Sequence, residues 1–157
     1  MIKKIIFLIS IFSLISNCGY APMYSKTTNA NFSITSIEIE GNTQMNNIIK
    51  TKLKKYINDT HDKKFYLKIE TSSNKFSAAK DITGKTTDLK LIADLNLTYI
   101  KQNSENKNEE KNILFSESST VKRNDNNYEQ NNYEKTLIQN MSETLINKLI
   151  FYLSRLK

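Results

Sequence analysis

The chain has 157 residues, with 23 Lys and Arg against 16 Asp and Glu, one His, one Cys, one Pro and three Gly. One cysteine forbids an internal disulfide framework, one histidine beside it cannot build a zinc site of the usual ligand types, and glycines only at 19, 41 and 84 leave no Gly-rich phosphate loop. The net charge of +7 rests on 21 Lys and two Arg in a chain where Lys, Asn and Ile make 61 residues, a bias that fits AT-rich codons better than an Arg-centred nucleic-acid surface, so no nucleic-acid partner is expected.

The chain opens with Lys3 and Lys4 and then an apolar stretch from Ile5 to Ile15. That stretch is too short to span a bilayer, which takes roughly 20 apolar residues, but it has the dimensions of a secretory signal peptide. Residues 1–17 are read as that peptide. Cys18 follows at once. Ile15-Ser16-Asn17-Cys18 resembles the lipobox cut by bacterial signal peptidase II, with Asn17 standing where Gly, Ala or Ser is usual. The resemblance implies diacylglycerol on the Cys18 sulfur and a further acyl chain, such as palmitate, on its new amino group. The alternative is an ordinary secreted protein with a cysteine near its cut site, but no small-x-small site precedes Cys18. One acyl chain anchors only marginally and three anchor stably, and the thioether removes a free thiol from an oxidising compartment. Gly19, in place of an Asp that would signal inner-membrane retention, implies sorting to the outer membrane.

Residues 18–31 hold Pro22 and no sustained period, and they read as a tether reaching at most roughly 45–50 Å. Residues 32–157 then read as one α+β domain. Phe32 and Ile34, then Ile37 and Ile39, alternate with a phase shift that predicts one strand with a bulge near Thr35–Ser36. Gly41-Asn42 ends it, and Asn42 or Thr43 can cap the helix whose apolar face is Met45, Ile48, Ile49, Leu53, Tyr56 and Ile57. Phe65, Leu67 and Ile69 mark a second strand that fades into Thr71–Phe76, and 78–86 reads as a hairpin loop. Leu89 to Tyr99 gives the cleanest alternation in the chain, a half-buried strand in an antiparallel setting. After a polar loop over 101–112, Ile113, Phe115 and Val121 mark a fourth strand ending at Lys122-Arg123. Tyr133, Leu137, Met141, Leu145, Leu149 and Tyr152 or Leu153, flanked by Ile138, Ile146 and Ile150, form the wide apolar stripe of a closing helix. The expected fold is α+β in the order β-α-β-β-β-α, a four-stranded mixed or antiparallel sheet with both helices on one face.

Cys18-Gly19-Tyr20-Ala21-Pro22-Met23-Tyr24 resembles the opening Cys-Gly-aromatic-x-Pro-Leu-Tyr of LPS-assembly lipoproteins of the LptE family, with Met23 in place of Leu. The element order resembles that family too, as does the Gly-containing turn of 79–86 before the cleanest strand. The resemblance implies a lipid-anchored protein at the periplasmic face of the outer membrane. Its partners would be lipopolysaccharide and an LPS-translocating β-barrel of the LptD type, which it would plug and help assemble. An auxiliary lipoprotein of an envelope phospholipid transporter is the alternative. The polar outer sheet face suits the polar interior of a barrel.

Lipid A carries phosphates, so exposed basic side chains are the contact candidates: Lys80 and Lys85 flanking the hairpin, and Lys122 and Arg123 ending the fourth strand. Arg123 is notable because Arg is scarce here and its fork matches a phosphate. His61 lies in a polar turn with no Ser, Cys or second His placed for a dyad, and Glu109-Glu110 and Glu38/Glu40 read as solvated surface. No catalytic site, metal cluster or cofactor site is expected, so the protein is not expected to be an enzyme.

Overall fold

The four alternating segments pair into one sheet. The computed structural model describes residues 31–102 and 110–156. The expected signal peptide, Cys18, the tether up to residue 30 and the middle of the 101–112 loop lie outside them. The elements are β1 (Ser33–Gly41), α1 (Thr43–Leu53) with a 3-10 turn at Lys54–Tyr56, β2 (Lys64–Lys80), β3 (Thr86–Gln102), β4 (Glu110–Lys122) and α2 (Asn127–Arg155). The sheet order is β1-β2-β3-β4, with β1 parallel to β2 and the other pairs antiparallel. The α+β fold in the order β-α-β-β-β-α, with a mixed sheet, is therefore the one the periodicity predicts.

One face of the sheet is buried under both helices. Phe65, Leu67 and Ile69 of β2 and Leu91, Ala93, Leu95, Leu97 and Tyr99 of β3 point inward. Met45, Ile49 and Leu53 of α1 meet them, as do Ile138, Met141, Leu145, Ile146, Leu149 and Leu153 of α2. Each such Leu or Ile, taken fully out of water, contributes about 1.5–3 kcal/mol before entropy is counted. The bulge falls as the phase shift requires, with the β1–β2 register slipping between Ile34 and Ser36, so Ile34, Ile37 and Ile39 all face the core side.

At the end of the sheet where residue 31 leads in, aromatic rings run from Phe32, just ahead of β1, across β2, β3 and β4. Phe32 stacks on Tyr56 at 5.1 Å and meets Phe65 edge-on at 5.9 Å. Phe65 meets Tyr99, and Tyr152 of α2 completes the row with Tyr99 and Phe115. The Tyr99 and Tyr152 hydroxyls share a hydrogen bond of 2.9 Å. Burial, and then that bond, pushes the Tyr99 phenol above its ordinary range.

Two expectations need correction. The second strand does not fade at Thr71–Phe76; β2 runs to Lys80, and the hairpin loop shrinks to the turn at 81–85. Residues 74–80 are exposed throughout, so burial never marked them, and backbone pairing with β3, with the Lys75–Glu134 ion pair to α2, holds them extended. The stripe of α2 holds at Met141, Leu145, Leu149 and Leu153, which are buried, and fails only at its start. Ile138 and Ile146 are buried, Leu137 is half-buried, and Tyr133 is 52% exposed. The helix begins about three turns before the core does, so its early apolar residues have no sheet core beneath them.

The β1–α1 junction hangs on Thr71. Its Oγ1 accepts from the Asn42 backbone N–H at 2.9 Å and donates to Asn46 Oδ1 at 2.6 Å. Asn42 caps α1 by accepting from Met45 N–H at 3.1 Å. Gly41 has φ +101°, and a Cβ there would sit 2.0 Å from the Thr71 carbonyl oxygen. Thr71→Val keeps the shape, strips the hydroxyl and leaves the buried Asn46 amide without its donor. It should cost about 1–3 kcal/mol in urea unfolding, and Gly41→Ala should cost more because backbone must move. An unchanged unfolding midpoint for both variants would contradict this account of the junction.

Candidate functional site

The four basic candidates come together at one end of the sheet. Lys80 closes the β2–β3 ladder opposite Thr86, and Asp88 pairs with Lys122 across β3 and β4. The Arg123 N–H donates to the Thr87 carbonyl at 2.8 Å. This end lies opposite the aromatic row. It is built on a tight turn: Asp81 Oδ1 accepts from Thr83 N–H at 2.8 Å, Thr83 Oγ1 at 2.6 Å and Lys85 N–H at 3.0 Å. Gly84 supplies the φ of +83° that the turn requires. The Thr83 hydroxyl, opposed by desolvation and helped by the two backbone donors and the Lys85 charge, holds the Asp81 carboxyl below its ordinary range.

Beyond β4 the chain turns through Asn124-Asp125-Asn126 into α2. Asn126 Oδ1 caps the helix by accepting from Tyr128 N–H at 3.0 Å, and the Asn124 N–H donates to Gln130 Oε1 at 2.7 Å. A concavity of about 700 Å³ results, lined by Lys122, Arg123, Asn124, Asp125, Glu129, Gln130 and Tyr133. The sequence reading missed five of these as site residues: Asn124, Asp125, Glu129, Gln130 and Tyr133. Asp125 and Glu129 bring carboxylates beside the cations, and Tyr133, expected in the core stripe, forms part of the wall. The signal was present: an Asn-rich cap three residues past a strand end starts a helix early.

The site is therefore mixed in charge. Lys85 Nζ meets Asp125 Oδ1 at 3.0 Å, and this bond, with the Lys85 charge and then that of Arg123, depresses the Asp125 carboxyl below its ordinary range. Both side chains are mostly exposed, so water and salt screen the pair. A phosphate approaching Lys85 would compete with Asp125. Lys122 and Arg123 meet no carboxylate within ion-pair distance among the described residues.

His61 is not isolated as expected. Ser33, from 28 positions away, places its Oγ 3.3 Å from His61 Nδ1, and Thr60 Oγ1 lies 3.0 Å from the same nitrogen. The Ser33 hydroxyl donates to Asn58 Oδ1 at 2.7 Å and accepts from the His61 backbone N–H at 3.1 Å. Ser33 is fully buried, and its bonds tie the 58–61 turn to the start of β1. Among the described residues, no group of three or more His, Cys, Asp or Glu side chains converges, and no helix is long and apolar enough to cross a membrane.

No protein-family model matches the chain, and no curated protein matches it in sequence. Solved structures do match. The crystal structure of the rare lipoprotein B from Shewanella oneidensis aligns over 76% of this chain and 93% of its own, with 9% identity and a TM-score of 0.58. A minor lipoprotein from Acinetobacter baumannii aligns over 80% and 91%, with 14% identity and a TM-score of 0.49. At such identities the likeness to the Shewanella protein shows a shared fold.

The Lys85–Asp125 contact gives a direct check on the site geometry. Asp125 has a lowered folded-state pKa, so the pair is fully formed above the ordinary carboxylate range and is lost as pH falls through the lower folded value. In Lys85→Ala, the Asp125 carboxyl should titrate back towards the ordinary Asp value, read by carbon-detected NMR, while Asp81 moves less. An unmoved Asp125 midpoint would show that the two side chains do not meet in solution.

Proposed function

We propose that this protein is an outer-membrane lipoprotein, anchored through Cys18 at the periplasmic face, that assists lipopolysaccharide transport as plug and partner of an LPS-translocating β-barrel. The observation that carries the reading is a conjunction. A Cys-Gly-Tyr-x-Pro-Met-Tyr opening stands ahead of a domain whose fold is shared with a protein described as rare lipoprotein B. The LPS role comes from the resemblance of the opening and of the element order to the LptE family.

The surface suits that task. The sheet face away from the helices carries Lys68, Glu70, Ser72, Asp94, Asn96, Thr98, Ser116, Ser118 and Thr120, with Ser116 donating to Asp94 at 2.5 Å. A polar, hydrogen-bonding face of this kind matches the interior of a water-filled barrel. Tyr66 and Phe76 of β2, Ile92 and Ile100 of β3 and Leu114 of β4 interrupt it with apolar area. Lys122 and Arg123 supply the phosphate-matching charge, and Tyr133 beside them offers an amphipathic wall to a glycolipid. The role needs binding and positioning, with no bond made or broken.

Depletion of the protein should leave newly made LPS short of the cell surface, measured by surface labelling after a pulse. Normal arrival at the surface would contradict the reading. At residue level, Lys122→Ala with Arg123→Ala should weaken LPS binding of the purified protein by roughly tenfold, at two charge-assisted contacts of about 1 kcal/mol or less each, with unfolding unchanged. Equal titration curves for the variant and the unmodified protein would remove these two residues from the contact.

A further inference from the structure

The positive charge is unevenly placed. Lys50, Lys52, Lys54 and Lys55 crowd the last turn of α1 and the 3-10 turn after it, and all four are exposed. Among the described residues none of them meets a carboxylate, whereas Lys64, Lys75, Lys85 and Lys148 each do. Their position at a helix C-terminus is favourable, because the carbonyl end of the helix attracts cations. Lys50 and Lys54 rim a shallow hollow of about 310 Å³ floored by Ile37 and Ile57, and Ile57 is 48% exposed. Cations around an exposed apolar floor match a surface that is anionic at its face and apolar just beneath.

The location narrows the partner. The 3-10 turn sits against the start of the domain, where Phe32 stacks on Tyr56. Residue 31 leads in here, thirteen positions after Cys18. The C-terminus of α2 reaches the same end, where Lys63 Nζ donates to the Leu156 carbonyl. The turn after α1 carries Asp59, paired with Lys64, and Asp62, while the opposite end, with Lys80, Lys85, Lys122 and Arg123, carries Asp81, Asp88, Asp125 and Glu129. An anionic polymer would use the lysines but not the apolar floor; a phospholipid surface uses both.

We propose that the lysine-bearing end of α1 seats directly on a phospholipid surface rich in anionic headgroups. The inference rests on the lipoprotein reading for what brings the domain to a membrane, but the surface itself acts without the lipid. Basic residues near a bilayer add attraction to anionic lipid that falls off within a Debye length, about 8 Å at physiological salt.

Every core residue lies between Phe32 and Leu153, so a chain beginning at residue 18 with Cys18→Ala keeps the whole core and removes the lipid. This protein should co-float with phosphatidylglycerol-containing vesicles and not with pure phosphatidylcholine, and salt should release it. The combined variant Lys50→Ala, Lys52→Ala, Lys54→Ala, Lys55→Ala should bind roughly tenfold or more weakly. The four Lys→Arg replacements should bind as before, and Lys80→Ala with Lys85→Ala should leave binding unchanged. Equal binding to neutral vesicles, or undiminished binding by the α1 variant, would overturn the proposal. Mass spectrometry of cell-made protein at Cys18 tests the lipoprotein reading separately: an unacylated cysteine there would sink that reading without touching the vesicle result.

Discussion

β2 and β3 hydrogen-bond to each other from the Lys64–Gln102 pair at one end to the Lys80–Thr86 pair at the other. At about 3.3 Å per residue that ladder is about 55 Å long. The helices and β1 bury only part of it. Where they do, alternate residues of β3 are lost from water and fix the register, because a one-residue slip would expose the whole set. Where they do not, β2 continues as an exposed edge paired with β3, which β4 flanks as far as Asp88, and the Asp81 turn closes the hairpin. Every other element takes its place from this ladder.

The ladder also gives the molecule two unlike ends. Near residue 31 are the aromatic row, the α1 lysines and the C-terminus of α2. At the other end are the hairpin turn, Lys122-Arg123 and the capped start of α2, where cations and carboxylates mix around Tyr133. In the proposed function these ends divide the work. One meets the membrane that holds the protein, and the other reaches into the path of the glycolipid while the polar sheet face lines up with a barrel wall. Separation by tens of ångströms keeps the first from competing with the second for phosphate.

The periodic parts of the chain announced themselves. Leu89–Tyr99 alternates because one face is buried, and Met45, Ile49 and Leu53 recur at helical spacing for the same reason. Even the β1 bulge was visible, as a slip in phase between Ile34 and Ile37. What periodicity cannot show is structure held without burial. The stretch at 74–80 is extended because β3 lies beside it, and Tyr133 is apolar yet has no core beneath its turn. The site was half legible for a related reason. The four cations could be placed at strand ends, but Asp125 beside Lys85 and Ser33 beside His61 are separated by 40 and 28 positions and meet only through the fold. The crowding of the α1 lysines was present in the chain and blended into a Lys-rich background until the structure showed them without carboxylate partners.

The account stands on the two ends having different neighbours in the cell. A photo-reactive amino acid placed at Arg123 in one strain and at Lys54 in another reads this directly when cells making LPS are irradiated. The prediction is a lipopolysaccharide adduct at Arg123 and none at Lys54. Adducts of equal yield at both positions, or an adduct at Lys54 alone, would contradict it.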